Sequence, residues 1–152
     1  MRLENKIKYF NLKVVKETTA KKEIAFTKIL KNIDVHYFLK IDIEGDEYQI
    51  LELELNLLKK CTGMCVEFHH VGTNKKRFLF TIDKLKKEFD ITNVHINNYG
   101  GIQKGIPDVM EITFLRKNSG NFQEITYAEF IPNSDLNCRN NPNSPEIYYR
   151  YN

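Results

Sequence analysis

The run Leu39-Lys40-Ile41-Asp42-Ile43-Glu44-Gly45 constrains the fold of this chain more than any other stretch. Apolar and charged residues alternate in it, so it reads as a strand spanning His36 to Gly45. Asp46 and Glu47 follow at once and open a helix, where acidic side chains suit the positive end of the dipole. A strand feeding directly into a helix is the first half of a βα crossover, and crossovers build parallel sheets.

Periodicity predicts the remaining elements. Ile7 to Val15 mixes β-branched and aromatic residues with polar ones, as a strand does. Thr18 or Thr19 caps a predicted helix through Leu30, whose apolar stripe is Ile24, Phe26, Ile29 and Leu30. The helix from Asp46 runs to about Lys60 with Tyr48, Leu51, Leu55 and Leu58 on one face. Met64 to Phe68 is a short apolar strand, and Phe78, Ile82, Leu85 and Phe89 recur at helical spacing. Val94 to Ile96 and Val109 to Leu115 form a predicted antiparallel hairpin, joined by a loop with Tyr99-Gly100-Gly101 and Pro107. The expected fold class is therefore α/β, a mostly parallel sheet of about five strands with a terminal antiparallel hairpin. No boundary divides residues 1–152, which read as one domain. From Lys117 onward the chain turns polar, an extended tail over 117–152 anchored by Phe122, Tyr127, Phe130, Tyr148 and Tyr149.

Composition enters as a set of exclusions. At 41% hydrophobic and 28% charged the chain is an ordinary globular sequence. No apolar run approaches the roughly 20 residues of a membrane span, and no apolar segment follows Met1 to Lys6 as in a secretory signal. Three sparse cysteines, Cys61, Cys65 and Cys138, fit free thiols in a reducing compartment, so a cytoplasmic location is expected. Net charge is +3, and residues 1–32 hold nine basic groups against three acidic ones. The lysines there alternate with Ile7, Tyr9, Leu12, Val14 and Val15, which reads as a solvated face. No nucleic-acid partner is expected.

Ligands of open parallel sheets bind outside the carboxyl ends of the strands. There the sequence puts Asp42 and Glu44 on one face of an otherwise interior strand. Such carboxylates can orient a hydroxyl or bind a cation; equally, Asp42 can pair with Lys40 and Glu44 can simply begin the loop. The next strand ends in Glu67-Phe68-His69-His70, where a histidine can serve as a base near neutral pH or complete a carboxylate–histidine metal site. The spacing matches no established metal motif, so no metal site is assigned. His36 and His95 read as structural. No glycine precedes Gly45, which excludes a phosphate-cradling glycine-rich turn in the first strand–helix unit.

These residues resemble a known family. Leu39-Lys40-Ile41-Asp42-Ile43-Glu44-Gly45-Asp46-Glu47 is similar to the signature of FkbM-type methyltransferases. Val66-Glu67-Phe68-His69, Val94-His95-Ile96-Asn97-Asn98-Tyr99-Gly100 and Pro107-Asp108-Val109-Met110-Glu111-Ile112-Thr113-Phe114 resemble its later segments. Leu136-Asn137-Cys138-Arg139-Asn140-Asn141-Pro142 looks like the terminal pattern of one branch. The resemblance implies a seven-stranded Rossmann-like sheet, with the signature strand fourth and the hairpin last. It implies S-adenosylmethionine as cofactor and O-methylation of a hydroxyl on a sugar, glycolipid or polyketide-like acceptor. Asp42, Glu44, Glu67 and His69 would line the acceptor cleft, His69 as base. Only about 35 residues precede the signature strand, too few for two complete βα units plus a third strand at about 30 or more residues per βαβ motif. Weak or absent S-adenosylmethionine binding, and inactivity of this chain alone, are therefore expected. A non-catalytic α/β binding or oligomerisation module of the same origin is the alternative, with an exposed sheet edge favouring a homo-oligomer.

Overall fold

The computed structural model describes residues 12–52, 55–119 and 138–147. Its centre is a four-stranded sheet in the order β3-β4-β8-β5. The strands are β3 (Tyr37–Ile41), β4 (Cys61–Phe68), β5 (Phe89–Ile96) and β8 (Met110–Arg116). Two smaller ladders accompany it. β1 (Lys13–Val15) pairs in parallel with β2 (Glu23–Ala25), and β6 (Ile102–Gln103) pairs antiparallel with β7 (Ile106–Pro107). The helices are α1 (Phe26–Lys31), α2 (Glu47–Leu51) and α3 (Lys75–Leu85), with one 3-10 turn at Leu55–Leu58. Among the described residues no helix is long and apolar enough to cross a membrane.

The α/β class is as expected, but the mostly parallel pairing is not what the central sheet shows. Only β3 and β4 pair in parallel; β8 pairs antiparallel with both β4 and β5. The reason is topological. The last of these strands does not add at the edge beside β5 but inserts between β4 and β5, so it converts what would be a parallel contact into two antiparallel ones. β3, β4 and β5 still share one direction.

Alternation gives this sheet two unlike faces. Met64, Val66 and Phe68 lie opposite Phe114, Ile112 and Met110, and all six are buried. They meet Tyr48 of α2 and Phe78 of α3, the Phe68 ring standing edge-on to Phe78 at 5.3 Å between centroids. The other face carries Lys40, Cys65, Glu67, Glu111, Thr113 and His95, in register across the same strands.

Three sequence-based assignments are corrected. Glu23–Ala25 is a strand and not part of a helix from Thr18 or Thr19. The Glu23 carboxylate accepts the N–H groups of Thr19 (2.9 Å) and Ala20 (3.0 Å), closing a turn from which the chain leaves extended. Thr18 Oγ1 accepts the Ala25 N–H at 2.9 Å, so the expected cap binds an amide just ahead of a helix that starts at Phe26. The helix from Asp46 does not reach Lys60, since α2 ends at Leu51, although Tyr48, Leu51 and Leu58 are buried as its stripe predicts. Phe89 begins β5 instead of ending α3, with the Arg116 guanidinium 4.6 Å from its ring centroid.

The loop after β5 holds the carboxyl-terminal segment. Buried Asn98 donates Nδ2–H to the carbonyls of Asn141 (2.9 Å) and Ser144 (3.1 Å) and accepts the Asn141 N–H at 2.7 Å. His95 Nε2 lies 2.7 Å from Asn140 Oδ1. Phe122, Tyr127, Phe130, Tyr148 and Tyr149, expected as tail anchors, lie outside the described residues, as does the first part of the predicted Ile7–Val15 strand.

Candidate functional site

The candidate site forms where β3 and β4 end side by side. β3 stops at Ile41, and the chain turns into α2 through two left-handed residues, Glu44 (φ 57°) and Gly45 (φ 108°). Glycine suits its position twice over, because a Cβ there would meet His70 Cδ2 at 3.2 Å. The turn is fastened by Glu47. This carboxylate has no exposed surface, and it accepts N–H groups from Ile43 and Gly45, each at 3.1 Å.

Glu47 also grips His69. Its Oε1 lies 2.9 Å from His69 Nδ1, while the opposite ring nitrogen, Nε2, faces Glu44 Oε2 at 3.5 Å. Tyr48 holds the same stretch from below, its hydroxyl donating to the His69 carbonyl at 2.9 Å. Burial pushes the Tyr48 hydroxyl well above the usual phenol range, first of all by desolvation and then by the neighbouring Glu47 charge, so it stays a donor. Glu47 thereby fixes the orientation of the imidazole, with Nδ1 toward the buried carboxylate and Nε2 toward Glu44. Ligand-capable atoms of Asp42, Glu44 and His69 all lie within 4.8 Å of one another. The His69 side chain is only 12% exposed, whereas that of Glu44 is 87% exposed.

Of the four residues expected to line the site, three therefore converge and Glu67 does not belong to their cluster. Glu67 accepts from Asn97 Nδ2 at 2.7 Å and faces Lys40 Nζ at 3.9 Å. It is part of the polar face, where Lys40 pairs with Glu111 and not with Asp42. Glu47, which the sequence reading took only for an acid suiting the helix dipole, is the residue that this reading missed. Its signal was its fixed place two residues after Gly45, within reach of the amides of that turn.

The Lys40–Glu111 pair has a pH signature. Burial alone would raise the Glu111 pKa, but the hydrogen bond and charge of Lys40 outweigh it and hold the group below the ordinary 4.5. For Lys40, burial pulls down while the bond to Glu111 and the neighbouring charges push up, leaving it above 10.5. The pair's stabilisation is thus fully present between about pH 4.5 and 10.5. It is lost as pH falls through the lowered carboxyl value or rises through the raised ammonium value. In urea titrations across pH, Glu111→Gln is expected to flatten the acid limb below pH 4.5. An unchanged acid limb would show that the pair contributes nothing.

A cleft of about 520 Å³ opens elsewhere, between Lys13, Lys16, Thr19 and Glu23 of the β1–β2 unit and Asp46 and Gln49 of α2. Most of its charges are engaged, Lys13 with Asp46 at 3.5 Å, Lys16 with Glu52 at 3.0 Å and Glu23 with the turn described above, while Glu17 also lines it. The chemistry-bearing cluster lies outside it.

Residues 4–100, well over half the chain, match the model of the methyltransferase FkbM domain. No curated protein and no solved structure gives a match.

Proposed function

Since the chain belongs to the methyltransferase FkbM domain family, we propose that it serves the acceptor side of an S-adenosylmethionine-dependent O-methyl transfer to a hydroxyl on a sugar, glycolipid or polyketide-like molecule. The observation that carries this is the convergence of Asp42, Glu44 and His69 at the carboxyl ends of two parallel strands. A hydroxyl placed there meets two carboxylate acceptors and the ring nitrogen Nε2 that Glu47 directs outward. The cluster aligns the oxygen and draws off its proton; orientation and proton removal are what a methyl acceptor needs from a protein. The strand order β3-β4-β8-β5, with three strands in one direction, suits the later strands of a Rossmann-like sheet in which β3 is fourth.

S-adenosylmethionine, when bound, supplies a methyl group on a sulfonium sulfur. The described residues do not fit this donor. No glycine precedes Gly45, so no glycine-rich turn lets the backbone close on a cofactor, and in the β1–β2 cleft Asp46 and Glu23 are already paired. Binding by this chain is accordingly weak or absent, and the acceptor-side role is independent of it. A cytoplasmic setting, and association of two copies through the edge of β3 that is unpaired among the described residues, complete the reading.

The test is a titration of the chain with hydroxylated acceptors, following the imidazole NMR signals. The His69 signals are expected to shift, and Asp42→Asn should weaken acceptor affinity at least about tenfold while leaving the melting temperature within about 2 °C, as suits an exposed side chain. Equal affinity in the variant, or perturbation confined to other residues, would overturn the assignment.

A further inference from the structure

The three groups of this cluster create an electrostatic problem. Two carboxylates, Asp42 and Glu44, converge with His69, with one ligand-capable atom of each within 4.8 Å of the others. Among the described residues no side-chain donor pairs with the Asp42 carboxylate. Carboxylates directed at one point repel unless a positive charge sits between them.

We infer that Asp42, Glu44 and His69 form a binding site for one divalent transition-metal cation. Two carboxylates and one imidazole suit Mn²⁺ or Zn²⁺, since carboxylates favour the harder ion and imidazole the softer. Ligand–metal distances of about 2.1 Å put the ligand atoms of such a site roughly 3 to 4 Å apart. The cluster's spread of at most 4.8 Å is close to this, and the exposed Asp42 and Glu44 side chains are free to close the difference.

A second observation is independent of the ligands. Metal-binding histidines characteristically donate their other ring nitrogen to a carboxylate, which fixes the ring and raises its basicity. Glu47 does this from a position with no exposed surface, and it is locked in turn by two backbone amides. A surface histidine that merely meets stray acids has no such buried support. The open side of the site faces solvent past Glu44, leaving positions for water or an acceptor oxygen. The inference rests on the acceptor-site reading and specifies how the cluster works. With the ion bound, His69 would serve as a ligand and not as the base, Glu47 would be a positioning residue, and the ion's charge would let a bound acceptor hydroxyl release its proton to solvent water.

The experiment is a titration of the full chain, first stripped with chelator, with Mn²⁺ followed by electron paramagnetic resonance and with Zn²⁺ by calorimetry. One equivalent is expected to bind. Asp42→Asn and Glu44→Gln, both at exposed positions, should each weaken binding at least about tenfold without unfolding the chain. Glu47→Gln should weaken it by about 10- to 100-fold although it touches no ion. No binding at millimolar ion, or affinity unchanged in the Asp42 and Glu44 variants, overturns the inference. Acceptor titrations on the stripped chain separate the two proposals. An acceptor that still shifts His69 in a chain that binds no ion leaves the acceptor reading standing alone. An ion that binds without any acceptor effect leaves the metal site standing alone.

Discussion

Glu47→Ala is expected to lower the unfolding free energy by about 3 kcal/mol, a large fraction of the stability of a domain this size. The carboxylate satisfies the Ile43 and Gly45 amides and His69 Nδ1 from a site with no exposed surface. Removing it strands these donors, each worth about 1–3 kcal/mol when left unsatisfied away from water. The total falls short of their sum because Ile43 and Gly45 are only half-buried, so water reaches part of the vacated space. Glu47→Gln keeps the shape and one acceptor oxygen but brings an N–H₂ group against donors, so a loss of about 1–2 kcal/mol is expected. Urea denaturation of both variants measures the difference. A Glu47→Ala variant within about 0.5 kcal/mol of the parent would show that the turn before α2 holds itself.

Phe114→Ala should cost about 3–5 kcal/mol, in the range for large aromatic truncations in a closed core. Phe114 is fully buried in β8, opposite Met64 on β4 and Ile91 on β5, so its ring is packed from both neighbouring strands. A cavity left there has a strand on each side and little freedom to collapse. Ile91→Ala on the edge strand, where the residue is 38% exposed, is the comparison and should cost under about 1.5 kcal/mol. Equal losses at the two positions would mean that β8 does not form the centre of the core.

What the sequence disclosed and what it hid have separable physical causes. The strand entering Gly45 and the apolar stripes of Tyr48, Leu51 and Leu58 were legible because burial imposes a period on residue type. The Glu23–Ala25 strand was not, since Ile24, Phe26, Ile29 and Leu30 satisfy helical spacing and the turn that excludes a helix is made by side-chain bonds of Glu23. The insertion of β8 was not legible either. The antiparallel pairing of Val109 to Leu115 with Val94 to Ile96 was legible as a hairpin, but nothing in that pattern names β4 as the strand on its other edge. At the site, Asp42, Glu44 and His69 stood out as charges in apolar surroundings. Glu47 did not, because a helix start is where acids are commonplace, and only the fold shows that this one is enclosed.

The placement of β8 also bears on how the chain can be made. β4 is complete once residue 68 has been synthesised and β5 once residue 96 has, yet neither has a partner between them until β8, ending at Arg116, arrives. At about 5–20 residues per second, the ribosome leaves β4 with one vacant edge for several seconds. During that interval the nascent chain carries exposed strand edges, the kind of surface chaperones and other nascent chains bind. The sheet therefore stays in two separate parts, β3-β4 and β5, until the strand that joins them emerges.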